Sequence, residues 1–175
     1  VAGQVSHSRT GRPLAHVQIQ LGDAVTYTDG RGRFLLEGIA EGIAELAIDG
    51  QQVAGADFGY YEVAVNVLAE RTTALPYIIW LTPIDRTHEV TLNYPLTQDT
   101  VVTNPDLPGL ELHLAAGSEL HDHTGQIVTK VGLTPIPLDR PPFPLPAVDV
   151  PVYFTAQPGA AYIHGDKARL VYPNS

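Results

Sequence analysis

Hydrophobic and polar residues alternate with period two in several short runs of the chain. In HVQIQL, Val17, Ile19 and Leu21 share one side, and His16, Gln18 and Gln20 the other. YEVAVNV sets Val63, Val65 and Val67 on one face, and EVTLNY groups Val90, Leu92 and Tyr94. LELHL turns Leu110, Leu112 and Leu114 inward and Glu111 and His113 outward. Successive side chains of a strand point to opposite faces of a sheet, so these runs predict half-buried antiparallel strands. Turn chemistry separates them: TDGRG from Thr28 to Gly32, IDGQQ from Ile48 to Gln52, and HTGQ from His123 to Gln126. The best helical candidate, VLAERTTAL from Val67 to Leu75, predicts one or two turns at most. Short strands at regular spacing between glycine and proline turns predict an all-β chain built as two β-sandwich-like domains. The junction falls at YIIWLTPID, giving domains 1-85 and 86-175 with Trp80 as an interdomain or core anchor.

One stretch breaks the alternation. LTPIPLDRPPFPLPAVDVPVYF, from Leu133 to Phe154, holds seven prolines. Proline fixes its own φ and offers no N–H to a ladder, so this run is not a central strand. It could display a polyproline ligand for an aromatic groove. However, Ile136, Leu138, Phe143 and Leu145 interleave with the prolines, where an exposed linker would be polar. A stiff apolar segment loses little entropy on ordering, so the run over 134-151 is expected to be a docked strap within the second domain. Its aromatic and leucine, Phe143 and Leu145, should be buried. Arg140 beside Asp139 would pin a bend.

Composition narrows the function. The chain has 175 residues and 44% hydrophobic residues, enough for a core. Five basic residues stand against ten acidic ones up to Asp85, and five against nine after it, so the net charge of −9 is spread evenly. With no basic patch, nucleic acid and anionic membrane surfaces are not expected partners. No apolar run approaches the length of a membrane span, so no insertion is expected. The absence of cysteine removes disulfides, zinc ribbons and thiol catalysis. Strand-like sequence at Val1 and again just before the final residues suggests a piece cut from a longer polypeptide.

Two resemblances follow from particular motifs. In the first half, a strand at Gly3 to Ser6 precedes a turn with Gly11 and Pro13. The strand Val17 to Leu21 and the motif T-x-T-D-x-x-G-x-F at Thr26 to Phe34 come next. This order resembles the carboxypeptidase regulatory-like domain over about residues 1 to 54, and the resemblance is expected to extend through Val67. LEGIAEG stands where that family usually has L-x-x-G-x-Y, with Ile43 in a position often aromatic. The resemblance implies a transthyretin-like sandwich of about seven strands, with Asp29 and Gly30 making the tight turn and Phe34 plugging the core. The second half, from PGLELHLAAGSEL to ARLVYPN, resembles the region ahead of the repeats in bacterial Rhs/YD-repeat (teneurin-like) proteins, where a related sandwich-plus-plug region seals a repeat shell. LELHLAAGSEL is also similar to a strand of the β-sandwich in ankyrins and netrin receptors, with Ala115 replacing its proline. Self-cleavage in that group needs a His-Phe-Ser or related bond; the tripeptide is absent here, so it does not carry over.

Chemistry-bearing motifs are few. The His-x-x-Glu zinc signature, HExxH and GxSxG are all absent, so no peptidase activity follows from the first resemblance and the chain is not expected to be an enzyme. His121 and His123 lie two apart and would share a face if extended, with His113 on a neighbouring strand; imidazoles at such spacing can bind zinc, nickel or copper. The competing reading, which is favoured, is a solvated hairpin end in which Asp122 and Gly125 serve the turn. TDGRG has one acidic residue before its glycine and makes a poor calcium loop. No cofactor is expected. The expected function is a structural module of a large secreted or surface bacterial protein, with the other domains of that polypeptide as partners. The rival is an adhesin-like module holding a glycan or protein ligand, with Tyr60, Tyr61 and Tyr162 as contacts unless they are core tyrosines.

Overall fold

The computed structural model describes residues 1–51, 53, 55–165 and 168–173. Gln52 of the IDGQQ turn, Ala54 at the end of the first resemblance, and Asp166, Lys167, Asn174 and Ser175 lie outside the described residues. The chain is all-β, with several sheets and no helix among the described residues. No helix there is long and apolar enough to cross a membrane. It divides into two compact units, Val1–Ile84 with Ile136–Pro151, and Asp85–Pro135 with Val152–Ser175.

The first unit holds β1 (Ala2–His7), β2 (Gln18–Leu21), β3 (Ala24–Tyr27), β4 (Arg33–Leu35), β5 (Gly42–Asp49), β6 (Tyr60–Val67) and β7 (Ile79–Leu81). One sheet has the order β4-β1-β7 and the other β3-β2-β5-β6. The alternation is visible in the burial. Val17, Ile19 and Leu21 are buried, as are Val65 and Val67; Leu46 pairs with Leu21 and Val63, and Ile48 with Ile19 and Tyr61, on the central strand β5.

The motif around the first turn is explained residue by residue. Thr28 is buried; its hydroxyl donates to the Leu14 carbonyl at 2.6 Å and accepts from the Val17 amide at 3.0 Å, tying the approach to β2. Asp29 Oδ1 accepts from the amides of Arg31 and Arg33, and these bonds, Arg33's first, hold its carboxyl below the usual range. Phe34 is 5% exposed in the core. Asp29 and Gly30 do make the tight turn, which the Gly32 amide closes on the Asp29 carbonyl at 2.8 Å, but the tertiary constraint falls on Gly32. Gly30 has open space around it, whereas Gly32 sits at φ +70° with its missing Cβ position 2.2 Å from the Val5 carbonyl oxygen.

The helical expectation over Val67 to Leu75 is not met. Strand β6 ends at Val67, the Leu68 amide donates to the Thr73 hydroxyl, and Glu70 adopts φ +54°. A non-glycine residue in the left-handed region cannot continue a right-handed helix. The Leu75 amide instead donates to the Ala2 carbonyl alongside β1.

The second unit holds β8 (Val90–Thr91), β9 (Thr100–Thr103), β10 (Glu111–Leu114), β11 (Glu119–His121), β12 (Lys130–Pro135), β13 (Phe154–Gln157), β14 (Tyr162–His164) and β15 (Ala168–Val171). They form sheets β15-β10-β9, β11-β14 and β13-β12-β8. A second core gathers Leu92, Leu96, Val102, Leu107, Leu110, Leu114, Leu120, Val131 and Leu133.

The strap is docked, but on the other unit from the one expected. Ile136–Pro151 belongs to the first compact unit. Phe143 packs partly buried against the first core and meets Tyr61 edge-on at 6.2 Å between ring centroids. Arg140 Nη1 donates to the Ser8 carbonyl at 2.8 Å, and its guanidinium lies 5.2 Å from the centre of the Trp80 ring. Asp139 is only loosely paired with it, at 3.9 Å. A planar cation bonded to a fixed carbonyl and stacked on an indole loses its freedom twice over, so Arg140 and Phe143 explain why the run leaves its own strands. Leu145 is half-buried, while Leu138 and Val148 are exposed, so the docking is concentrated at Arg140 to Phe143. The junction also shifts by one residue: Asp85 belongs to the second unit, its amide donating to Thr134 Oγ1 on β12.

Candidate functional site

A cluster of three rings and one carboxylate lies on the β11–β14 ribbon. The register places Glu119 opposite His164, Leu120 opposite Ile163, and His121 opposite Tyr162. Alternation then puts Leu120 and Ile163 on one face and the four polar and aromatic residues on the other. On that outer face the His121 and Tyr162 rings stack, 5.7 Å apart with planes 19° from parallel. The His164 ring stands edge-on to both, at 4.8 Å from His121 and 5.0 Å from Tyr162. Glu119 Oε2 lies 3.5 Å from His121 Nε2.

Both nitrogens of His121 are therefore engaged, since Nδ1 donates to the Gly125 carbonyl at 3.1 Å. Asp122 organises the same turn: its Oδ1 accepts from the amides of Thr124 and Gln126 and from the Thr124 hydroxyl. The Thr124 hydroxyl is the main cause of its lowered pKa. Gly125 supplies φ +85° to close the turn.

The three histidines singled out for metal are not brought together. His113 Nε2 pairs with Glu111 Oε2 at 2.7 Å on β10, His121 joins the ring cluster, and His123 is exposed in the turn. Among the described residues no group of three histidines or acidic residues is placed to hold a metal ion. The partner that His121 does have, His164, was not singled out from the sequence. Its signal was the Tyr-Ile-His alternation, but only the strand pairing reveals which histidine it meets.

The tyrosines also separate. Tyr61 is buried in the first core and Tyr60 donates to Glu62 at 2.8 Å on the outer side of β6; burial, then this bond, raises its pKa. Tyr162, 44% exposed, belongs to the second unit.

A second polar cluster opens the second unit. Asp85 accepts at Oδ1 from the Thr87 hydroxyl and amide, and at Oδ2 from Asn104 Nδ2 at 2.9 Å and His88 Nδ1 at 2.5 Å. Asn104 also donates to the Leu133 carbonyl at 2.7 Å. These bonds, the Thr87 hydroxyl's first and His88's second, hold the Asp85 carboxyl well below the usual range. Thr87 and Asp85 both approach the same ring nitrogen of His88. A proton relay needs its hydroxyl and carboxylate on opposite ring nitrogens, so this cluster is a clamp on the chain.

The clamp has a measurable pH signature. A carboxyl whose pKa is depressed by folding stabilises the fold fully above its unfolded pKa of about 4, and loses that contribution as pH falls below it. Asp85→Asn should cost about 1–2 kcal/mol at neutral pH, solvent screening keeping it at that level. Denaturant titrations should show the gap to the wild type narrowing below about pH 4. A gap that stays constant across that range would remove the ionised carboxylate from the account.

The chain matches no family model, no curated protein and no solved structure.

Proposed function

We propose that the chain is a non-catalytic structural module of a large secreted or surface bacterial polypeptide, bearing load while it spaces or plugs an assembly of the Rhs/YD-repeat kind. The observation that carries this reading is the parallel pairing of β1 with β7. Val5, Ser6 and His7 lie opposite Ile79, Trp80 and Leu81, and Ala2 bridges Ala74 in the same sense. The backbone bonds continue at Ala2 to Thr73 and Ser8 to Leu81, each 2.9 Å, and the buried hydroxyls of Ser8 and Thr82 meet at 2.9 Å. Tension between Val1 and the residues after β7 pulls two parallel strands from opposite ends. Their hydrogen bonds are then loaded together in shear, where a hairpin pulled from one end would open bond by bond.

The seven strands of the first unit, four in one sheet and three in the other, support the transthyretin-like reading of that unit. The secreted, bacterial setting and the repeat-protein assembly come with the resemblances. A second reading, an adhesin-like module for a glycan or protein, is favoured by the exposed Tyr162 beside the His121 and His164 rings.

Force spectroscopy tests the proposal, and the cysteine-free chain allows unique attachment points. With one handle on an N-terminal cysteine, the second is placed at Arg86→Cys to load β1 against β7, or at Glu37→Cys to peel β1 from antiparallel β4. The first geometry should yield at clearly higher force, because forced unfolding reads the barrier along the loaded direction. Equal or lower force in the shear geometry would reject a load-bearing role.

A further inference from the structure

The second unit contains a pocket of about 210 Å³ whose nine described lining residues are all apolar. Leu114, Leu120 and Val131 form a buried floor, and Ala160 and Ile163 stand exposed at the mouth. Its origin is the ribbon described above. Leu120 and Ile163 are cross-strand neighbours on the face opposite the ring cluster, and they turn toward Leu112 and Leu114 of β10. The facing wall after β13 carries only short side chains, among them Pro158 and Ala161, which leave the space unfilled.

Such a space has a definite chemical preference. A trapped water needs two to four polar partners, and among the described residues no lining side chain supplies one. An empty void leaves its lining atoms without dispersion contacts on one side. An apolar cavity of about 150 Å³ in another protein takes up benzene, so by proportion this one suits roughly eight carbon atoms. Among the described residues no charged or hydrogen-bonding side chain lines it to hold a charged group.

We propose that this pocket is a binding site for one small uncharged hydrocarbon ligand of alkylbenzene size. The test titrates the whole chain with ethylbenzene and follows the methyl resonances of Leu114, Leu120, Val131 and Ile163. Those signals should shift saturably at one equivalent, and the unfolding temperature should rise with ligand concentration. The same ring carrying a carboxylate, 4-ethylbenzoate, should bind about tenfold more weakly or worse. Ala161→Leu fills the space and should abolish the shifts while the circular dichroism spectrum is kept; Leu112→Phe gives the same reading if the first variant does not fold. The proposal is overturned if no saturable shift occurs up to the solubility limit, if 4-ethylbenzoate binds equally well, or if a folded filling variant binds ethylbenzene as the wild type does.

Discussion

Replacing Phe34 with alanine is expected to destabilise the first unit by about 3–5 kcal/mol, the range for emptying a buried aromatic site. The ring is 5% exposed and belongs to the first core. Gly3 lies directly across from it on β1, where an added Cβ would be 2.7 Å from the ring edge and 3.1 Å from Leu75. The phenyl group therefore occupies space that β1 leaves by having no side chain there, and nothing short of a backbone shift would refill it. Urea unfolding at two or more probe wavelengths should show the loss in the midpoint with the slope unchanged. A cost below about 1 kcal/mol would place the ring at the surface and dissolve the motif that links Thr28, Asp29 and Phe34.

How far the sequence reached depended on how local each feature was. Alternation in HVQIQL and YEVAVNV located β2 and β6, because both lie in one sheet whose inner face is core. In LELHL it located β10 and its outward pair Glu111 and His113, but Leu112 proved half-buried because it lines the apolar pocket. EVTLNY predicts a longer strand than β8, Val90 and Thr91; the buried Leu92 carries the pairing one residue further, its amide donating to the Thr129 carbonyl at 2.9 Å, and Pro95 follows with no amide to pair.

Long-range ownership was not legible. Proline interleaved with apolar residues pointed to docking over 134-151; the structure shows it at Ile136 and at Arg140 to Phe143, while Leu138 and Val148 are exposed. Which core it docks on depends on Tyr61, Trp80 and the Ser8 carbonyl, each more than 50 residues away in sequence. The same holds for His121, whose ring partners arrive from a strand that begins at Tyr162. Spacing within LHDHTG pointed to His123, and pairing between strands supplied His164 instead.

The two glycines of TDGRG separate local turn rules from tertiary fit. By the turn rule alone, Asp-Gly at Asp29 and Gly30 is the strong signal. The structure assigns the constraint to Gly32, at φ +70°, whose amide donates to the Asp29 carbonyl and whose carbonyl accepts from the Val5 amide at 2.7 Å. A methyl group there would both strain the backbone and collide with the Val5 carbonyl, 2.2 Å from the Cβ position. Since Val5 also anchors β1 to β7, the displacement would reach the parallel pair on which the load-bearing proposal rests. Gly32→Ala is therefore expected to cost about 3 kcal/mol or more. Gly30→Ala meets nothing within 4 Å and should stay within about 0.5 kcal/mol of the wild type. Chemical denaturation of the two variants side by side decides the matter: equal losses would return the turn to Gly30, and a loss confined to Gly32→Ala would fix the constraint where β1 and the turn meet.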